Sequence, residues 1–345
     1  MYRSCFVCSI SLATIACGSP NGGDGSNPTR QETPAFSLDE GTMTLNPGQE
    51  GLFCRQMPVP SEQLDSFITG LDADVSLGTH HMIVTFSDGD MQSEPPLCKD
   101  TGSGQVTSGN ASFQDFASDP NPLSVIETVK RIAFGGGGGN ARVRFPASYG
   151  KPMPRGFFES SHHLLNAGTE PIQVHGRFDV YTAEADEIAF PLGVLFANQF
   201  TIAVAPQSDG FVEGTLTTAA PIDVVAFMSH AHNYLRRFEM FIYRNGAPEA
   251  EPVYVSEDWE TPRVQVEDPP LHLEAGEGIT FRCTYHNDMT TELGWGVTDG
   301  EMCMPLAMYA YPPGAPRAIP PTMSVALYDA TPAALREGTS GFFGQ

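Results

Sequence analysis

The chain has 345 residues, with 18 Lys and Arg against 41 Asp and Glu, and a formal net charge of −23 at pH 7. This charge repels phosphate backbones and anionic lipid headgroups, which argues against nucleic acid as a partner and favours solubility. The length allows two domains, and 35 Gly, 29 Pro and only 17% charged residues favour strands and turns over helices.

Residues 1–17 have the pattern of an export signal. Arg3 precedes an apolar run at 6–16 that is too short for a membrane span. Thr14-Ile15-Ala16-Cys17 resembles a bacterial lipobox, with Thr14 in place of the usual Leu, and it predicts lipidation of Cys17. The alternative is ordinary signal cleavage and release. We therefore expect an exported protein of the bacterial cell envelope that contacts the membrane only through a lipid anchor.

A first domain is predicted at 36–189, after a linker at 18–35 that is rich in Gly, Ser, Asn and Pro. Its strands are expected near 82–86, 141–145, 157–165 and 172–181. The glycine run at 135–139 lacks the Lys-Ser/Thr pair that follows a phosphate-binding loop, so it is interpreted as a turn.

Imidazoles of the first domain occur at His80 and His81, before Met82, and at His162 and His163. Adjacent residues in a regular strand face opposite sides, so His80 and His81 can bind one ion only where the backbone bulges. Otherwise one ring packs inward and the other is solvated. A third imidazole from His163 or His162 would complete an all-nitrogen site, which suits copper or zinc.

A second domain is predicted at 190–312, with strands near 199–204, 222–229, 238–243, 278–285 and 305–311. Asn245-Gly246 predicts a tight hairpin turn. Residues 313–345 are a proline-rich exit followed by an unassigned tail.

His230 and His232 are two residues apart, a spacing that puts both imidazoles on one face of a strand, where they can chelate one ion. Met302 would add a thioether, which is a poor ligand for zinc but a good one for Cu(I). The alternative for Met302 is core packing, the usual role of methionine. Two imidazoles and a thioether predict a copper that spends time reduced.

The seven cysteines divide into three near the N-terminus and four in the exported part, namely Cys54, Cys98, Cys283 and Cys303. An even number suits an oxidising compartment. Three pairings of these four are formally possible.

Five motifs in order over about 52–312 resemble the copper type II, ascorbate-dependent monooxygenases, the group containing peptidylglycine α-hydroxylating monooxygenase and dopamine β-monooxygenase. The motifs are Gly51-Leu52-Phe53-Cys54, Thr79-His80-His81-Met82, His163-Leu164-Leu165-Asn166, Ser229-His230-Ala231-His232 and Glu301-Met302-Cys303. The resemblance implies an all-β fold of two tandem antiparallel, jelly-roll-like β-sandwiches, with a copper site on each side of an interdomain cleft.

The resemblance also implies the ligands and their roles. His80, His81 and His163 would hold the first copper, with His162 and His175 as alternatives to His163. The second copper would be held by His230, His232 and Met302. This second site would handle O₂ and substrate, and the first would supply an electron that derives from ascorbate. The implied disulfides are Cys54 with Cys98 and Cys283 with Cys303.

The chain departs from the family where its peptide-hydroxylating branch binds a peptide carboxylate through Arg, Asn and Tyr. Met228, Met304 and Leu306 stand at those positions. An apolar wall cannot neutralise a carboxylate, so we expect a small neutral or apolar organic substrate. Two other functions remain open: a non-catalytic copper-binding lipoprotein of the envelope, and a structural β-sandwich adhesion module without copper.

Overall fold

The structure is a computed structural model that describes residues 33–76, 78–87, 91, 104–108, 111–115, 132–137, 141–218, 220–259, 262–296, 300–312 and 324–328. The export signal with Cys17, the linker up to residue 32, and Cys98 lie outside these residues. Those predictions stay predictions.

The described part of the chain consists of 23 strands and two 3-10 helices, Ser61–Gln63 and Ala185–Glu187, with no α-helix. This confirms the all-β prediction. In chain order the strands are β1 (Phe36–Leu45), β2 (Glu50–Pro58), β3 (Phe67–Val75), β4 (Thr79–Ser87), β5 (Gly104–Ser108), β6 (Ala111–Asp115), β7 (Ile132–Gly137), β8 (Ala141–Arg144), β9 (Tyr149–Pro152), β10 (Phe157–Leu165), β11 (Ile172–Ala183), β12 (Phe190–Pro191), β13 (Gly193–Gln199), β14 (Ala203–Val204), β15 (Ser208–Thr217), β16 (Ile222–His230), β17 (Leu235–Arg244), β18 (Ala247–Ser256), β19 (Gln265–Leu273), β20 (Gly278–Asn287), β21 (Leu293–Gly294), β22 (Met304–Ala310) and β23 (Ser324–Tyr328).

Strands β1 to β12 form two sheets. One has the order β1-β11-β3-β9-β12, with β8 also paired to β3, and the other has the order β5-β6-β2-β10-β4-β7. Period-two alternation drives the packing: Val174, Gly176, Phe178 and Val180 of β11 are buried, and the single residues between them are more exposed. Phe178 and Val180 meet Met82 and Phe158 of the other sheet in one core.

Strands β13 to β23 form a five-stranded sheet, β19-β16-β22-β13-β23, a four-stranded sheet, β15-β20-β17-β18, and the short pair β14-β21. Phe227, Phe238, Phe281 and Tyr285 fill the core of this half. Strand β23 pairs in parallel with β13, so the tail that the sequence left unassigned contains a strand.

Most predicted strands are present, and 157–165 matches β10 in full. The strand predicted at 199–204 is wrong, because β13 ends at Gln199 and β14 begins only at Ala203. The side-chain oxygen of Gln199 accepts hydrogen bonds from the backbone N–H and the hydroxyl of Thr201, which stabilises a turn between them. The Asn245-Gly246 turn is confirmed, with φ of 55° and 82° at these two residues.

The five-stranded sheet contacts both halves of the chain. Val224 faces the core of the second half, whereas Val225 and Ala310 pack into the core that holds Phe158 and Phe178. The sheet therefore bridges two cores. The described segments contain no helix with the length and apolar character that crossing a bilayer requires.

Candidate metal centres

His230 and His232 lie side by side at the end of β16. Their ring centroids are 5.2 Å apart, with an interplanar angle of 80°. The strand ends at His230, so a turn, rather than the strand period, presents His232 beside it. Nδ1 of His232 donates a hydrogen bond to the carbonyl oxygen of Gly300 over 2.8 Å. This contact fixes the orientation of the ring and identifies Nδ1 as its protonated nitrogen.

A buried carboxylate connects the histidine segment to Met302. Oε2 of Glu301 accepts hydrogen bonds from the backbone N–H of His232 (2.9 Å) and of Met302 (3.1 Å), and Oε1 accepts one from that of Tyr234 (2.7 Å). Burial raises the pKa of Glu301 to about 7, and these backbone donors oppose that rise. Glu301 thus holds the backbone of both predicted ligands in one place.

The side chain of Met302 is buried in an apolar group of four residues, the Met302 cluster, which consists of Phe196, Met302, Met304 and Leu306. The carbonyl of Met302 accepts a hydrogen bond from the hydroxyl of Tyr285 over 2.8 Å. The next residue forms the predicted disulfide Cys283–Cys303, with a Cα–Cα distance of 5.9 Å. The backbone at Met302 is therefore fixed on both sides.

His230 lies in packed surroundings, with part of its surface still open. Burial lowers its pKa to about 3, with further contributions from nearby His232 and His163. The ring is therefore neutral at pH 7, which is the form that binds a metal ion.

The first predicted centre lies where β10 pairs with β4. His163 has His81 as its Cα partner, but Leu164 has Thr79, so the register leaves His80 as an extra residue on β4. This is the bulge that an adjacent histidine pair needs to bind one ion. The side chains of His80 and His81 lie outside the described part, so their convergence stays a prediction.

Nε2 of His163 lies 2.9 Å from Oε1 of Glu50. The pKa of Glu50 is lowered chiefly by this hydrogen bond, and also by the charges of His163 and His232, while burial opposes the change. Glu50 therefore contacts the first-half imidazole of His163 directly.

The two alternatives to His163 have other surroundings. His162 is buried, with Nδ1 2.9 Å from Oε2 of Glu40 and Nε2 2.6 Å from the hydroxyl of Thr79. His175 lies on β11, in the other sheet, 3.8 Å from Asp74. Both nitrogens of His162 thus have protein partners, and His175 is on a different sheet from β4, which favours His163.

The surface of β4 and β10 faces the five-stranded sheet. Ile83 is two residues from His81 on β4, its Cα partner is Ser161, and its side chain packs against the Met302 cluster. Residues two apart share a face, so Ser161 and His163 lie on one face of β10. The face of β10 that carries His163 is therefore turned toward the Met302 cluster.

Among the residues whose side chains are described, no three His, Cys, Asp or Glu converge on one point. The second predicted centre has two imidazoles and a thioether, so it is not a set of that kind, and the first depends on His80 and His81, whose side chains lie outside the described part. The donor atoms of the second predicted centre fit copper, because imidazoles with a thioether suit an ion that alternates between Cu(II) and Cu(I).

The sequence did not identify Glu50, Gly300 or Tyr285, which position the predicted ligands. Glu301 was visible as the first residue of Glu-Met-Cys, but its role as a shared acceptor depends on the turn at 231–234. Cys54 is disulfide-bonded, and its predicted partner, Cys98, lies outside the described residues.

No curated protein is significantly similar to the chain in sequence. Among solved structures, the STIV MCP is 9% identical over 81% of this chain and 97% of its own, with a TM-score of 0.35. The major capsid protein P2 of bacteriophage PM2 is 8% identical over 80% and 99%, with a TM-score of 0.26. PNGase F, a glycosylasparaginase from Flavobacterium meningosepticum, is 9% identical over 82% and 93%, with a TM-score of 0.23. These TM-scores support no argument about function.

One family model matches, over residues 207–325, and it describes the C-terminal domain of copper type II ascorbate-dependent monooxygenases. The matched residues include His230, His232 and Met302 and the disulfide beside them. Residues 207–325 are therefore similar to the C-terminal domain of the copper type II, ascorbate-dependent monooxygenases.

Proposed function

We propose that the protein is a two-copper monooxygenase that hydroxylates a C–H bond of a small neutral or apolar molecule with O₂ and an ascorbate-type reductant. The observation that carries the proposal is the Glu301 carboxylate, which binds the backbone of His232 and Met302 together beside the His230 ring. This arrangement lies within the matched residues 207–325.

His230, His232 and Met302 would hold one ion, and His80, His81 and His163 the other. Bound copper would supply one-electron transfer and activation of O₂. The outer partners fit this role, because metal-binding imidazoles are commonly oriented by a carbonyl or a carboxylate on their other nitrogen. Gly300 does this for His232, and Glu50 does it for His163.

The residues beside His230 support a neutral or apolar substrate. Met304 is its Cα partner on β22, Met228 lies two residues before it, and Leu306 is opposite Met228. Met304 and Leu306 are buried within the Met302 cluster and Met228 packs against it. Such a surface excludes water and offers no cation to a carboxylate.

The cellular setting is part of the same proposal. Export with a lipid anchor at Cys17 would place the enzyme in the bacterial envelope, where the Cys283–Cys303 disulfide persists. Its partners would then be O₂, the reductant and the substrate, with no nucleic acid.

Met302→Leu tests the proposal, because it keeps the apolar volume and removes the thioether. We expect ascorbate-dependent hydroxylation to fall by about 100-fold or more, while the fold and the first copper are retained. Met153→Leu, which changes a buried Met in the first-half core, should keep full activity. The measurement is product formation together with copper content. Full turnover by Met302→Leu with copper bound would contradict the proposal.

A copper-binding lipoprotein without catalysis is the second candidate, since replacing the carboxylate-binding residues by Met228, Met304 and Leu306 is compatible with a lost substrate site. Ascorbate-dependent O₂ consumption by the copper-loaded protein, over a panel of phenethylamines, amidated peptides and apolar compounds, separates the two. No consumption above free copper with any of them would favour the second candidate.

A further inference from the structure

Unpartnered polar atoms gather near the Met302 cluster. Among the described residues, four buried side-chain N or O atoms have no hydrogen-bond partner, and three of them are Nδ2 and Oδ1 of Asn198 and Nε1 of Trp295. Asn198 is fully buried. Buried polar groups in proteins nearly always find a partner, so an amide with neither atom paired indicates a ligand or a water molecule.

The alternation of β13 shows which way Asn198 points. Leu195 and Ala197 belong to the main core of the second half, whereas Phe196 belongs to the Met302 cluster on the opposite face. Asn198 is two residues from Phe196 and therefore shares its face. The orphan amide is thus on the cluster side of the sheet.

The strand register puts Asn198 in one row with His230. Phe196 pairs with Leu306, and the N–H of Gln199 donates to the carbonyl of Cys303 over 3.1 Å, which continues that register and sets Asn198 opposite Met304. Met304 in turn is the Cα partner of His230. Neighbouring strands are about 4.8 Å apart, so the backbones of Asn198 and His230 are about 10 Å apart, with Met304 between them.

Trp295 adds a second donor to the same surroundings. Its ring packs against the Met302 cluster and lies 5.0 Å from the ring of Phe200. The apolar Met302 cluster is therefore flanked by two polar groups, the amide of Asn198 and the indole N–H of Trp295. Met228 and Trp295 are partly exposed, and unbranched methionines repack at little cost, which gives a ligand a way in.

We propose that Asn198 is a specificity-determining residue and that it selects an apolar substrate with a neutral carboxamide. The C=O of such a group accepts from Nδ2 while its N–H donates to Oδ1, so both orphan atoms are satisfied at once. A ketone pairs with only one of them, and a carboxylate offers no donor and would be buried without a counter-charge. The inference rests on the proposed function for the reaction, but the binding it describes does not require copper.

The test is calorimetric titration of the copper-free full-length protein with hexanamide, 2-heptanone, 1-hexanol and hexanoate. We expect hexanamide to bind about tenfold or more tightly than the other three. Asn198→Leu should lose this preference, and Asn46→Leu, which changes an exposed Asn on the β1–β2 turn, should keep it. Since Asn198→Leu removes an unpaired buried amide, its melting temperature should be equal or higher. Asn198→Met serves if that variant fails to fold.

Equal affinity for the four probes, tighter binding of any other probe, or no binding at all would overturn the inference. So would a preference that survives in both Asn198 variants, since the amide would then only hold water. O₂ uptake by the copper-loaded protein separates this inference from the proposed function. Hexanamide preference without uptake contradicts only the proposed function, whereas uptake with all four probes alike contradicts only the role of Asn198.

Discussion

Lys151 is a basic residue buried in the core of the first half. It lines a mostly apolar cavity with Leu71, Phe145 and Phe158. Burial lowers the pKa of Lys151 to about 8, because a low-dielectric environment disfavours the ammonium form. Its usual value of 10.5 applies once the chain unfolds.

Between these two values the unfolded chain binds more protons at Lys151 than the folded one, so stability should rise with pH from about 8 to about 10.5. Below pH 8 the full cost of the buried charge is present. Lys151→Met should remove this rise, which amounts to up to about 3 kcal/mol, so the two proteins should converge toward pH 10.5. Chemical denaturation at pH 7 and pH 10 measures the difference, and identical pH slopes would disprove it.

At single residues, the sequence showed which side chains could be ligands but not how they are arranged. His162 and His163 are adjacent on β10, so their side chains lie on opposite faces of the strand. Only their contacts distinguish them: His162 with Glu40 and Thr79, and His163 with Glu50. These partners are remote in sequence. Asn198 gave no signal either, because an Asn in a strand is significant only when its surroundings leave it unpaired.

At the level of elements, the segment that carries Met302 depends on a covalent link to β20. Cys283 lies within β20, and Cys303 directly precedes β22, 20 residues further along the chain. The disulfide reduces the conformational freedom of the unfolded chain, and in the folded chain it restricts the backbone next to Met302.

Replacing both cysteines by Ala should lower the free energy of unfolding by about 3 kcal/mol, as expected for a loop of this size. It should also weaken Cu(I) binding at the second centre, because the thioether is less well held. Denaturation and a Cu(I) titration measure the two effects, with wild-type protein as the reference. Stability and affinity equal to wild type would show that Glu301 and Tyr285 fix the segment without the bridge.

Strand alternation made β10 and β16 predictable, but two elements required tertiary information. The turn after Gln199 arises from a side-chain contact within a β-prone run. Strand β23 follows a proline-rich stretch, and its partner β13 lies more than 100 residues earlier in the chain. From the sequence, a shared ion for His80 and His81 required a bulge in their strand. The register shift between β4 and β10 provides that bulge at His80.

For the whole molecule, the five-stranded sheet determines how the halves meet. Val224 and Val225 are both fully buried neighbours on β16, yet they face different cores. The sequence predicts two domains, at 36–189 and 190–312. It could not predict a core shared between them, because a strand buried on both faces is simply a continuous apolar run.

Val224→Ala and Val225→Ala should each lower the free energy of unfolding by about 2 kcal/mol, from lost burial and the cavity left behind. Only Val225→Ala should also lower ascorbate-dependent turnover, since it loosens the packing that holds the first-half imidazoles opposite His230. Each variant is compared by denaturation and by turnover at equal copper content. Equal turnover in both would mean that the shared core does not control the approach of the two centres.

Met228, Met302 and Met304 pack in or against one cluster, and Met304 is the Cα partner of His230, where the proposed function would place the reduction of oxygen. If oxygen were reduced there without a substrate present, these sulfurs would be exposed to oxidation, and each sulfoxide would make an apolar surface polar. Such an enzyme would be inactivated in proportion to the number of turnovers that occur without substrate, so its lifetime would depend on how tightly oxygen reduction is coupled to substrate binding.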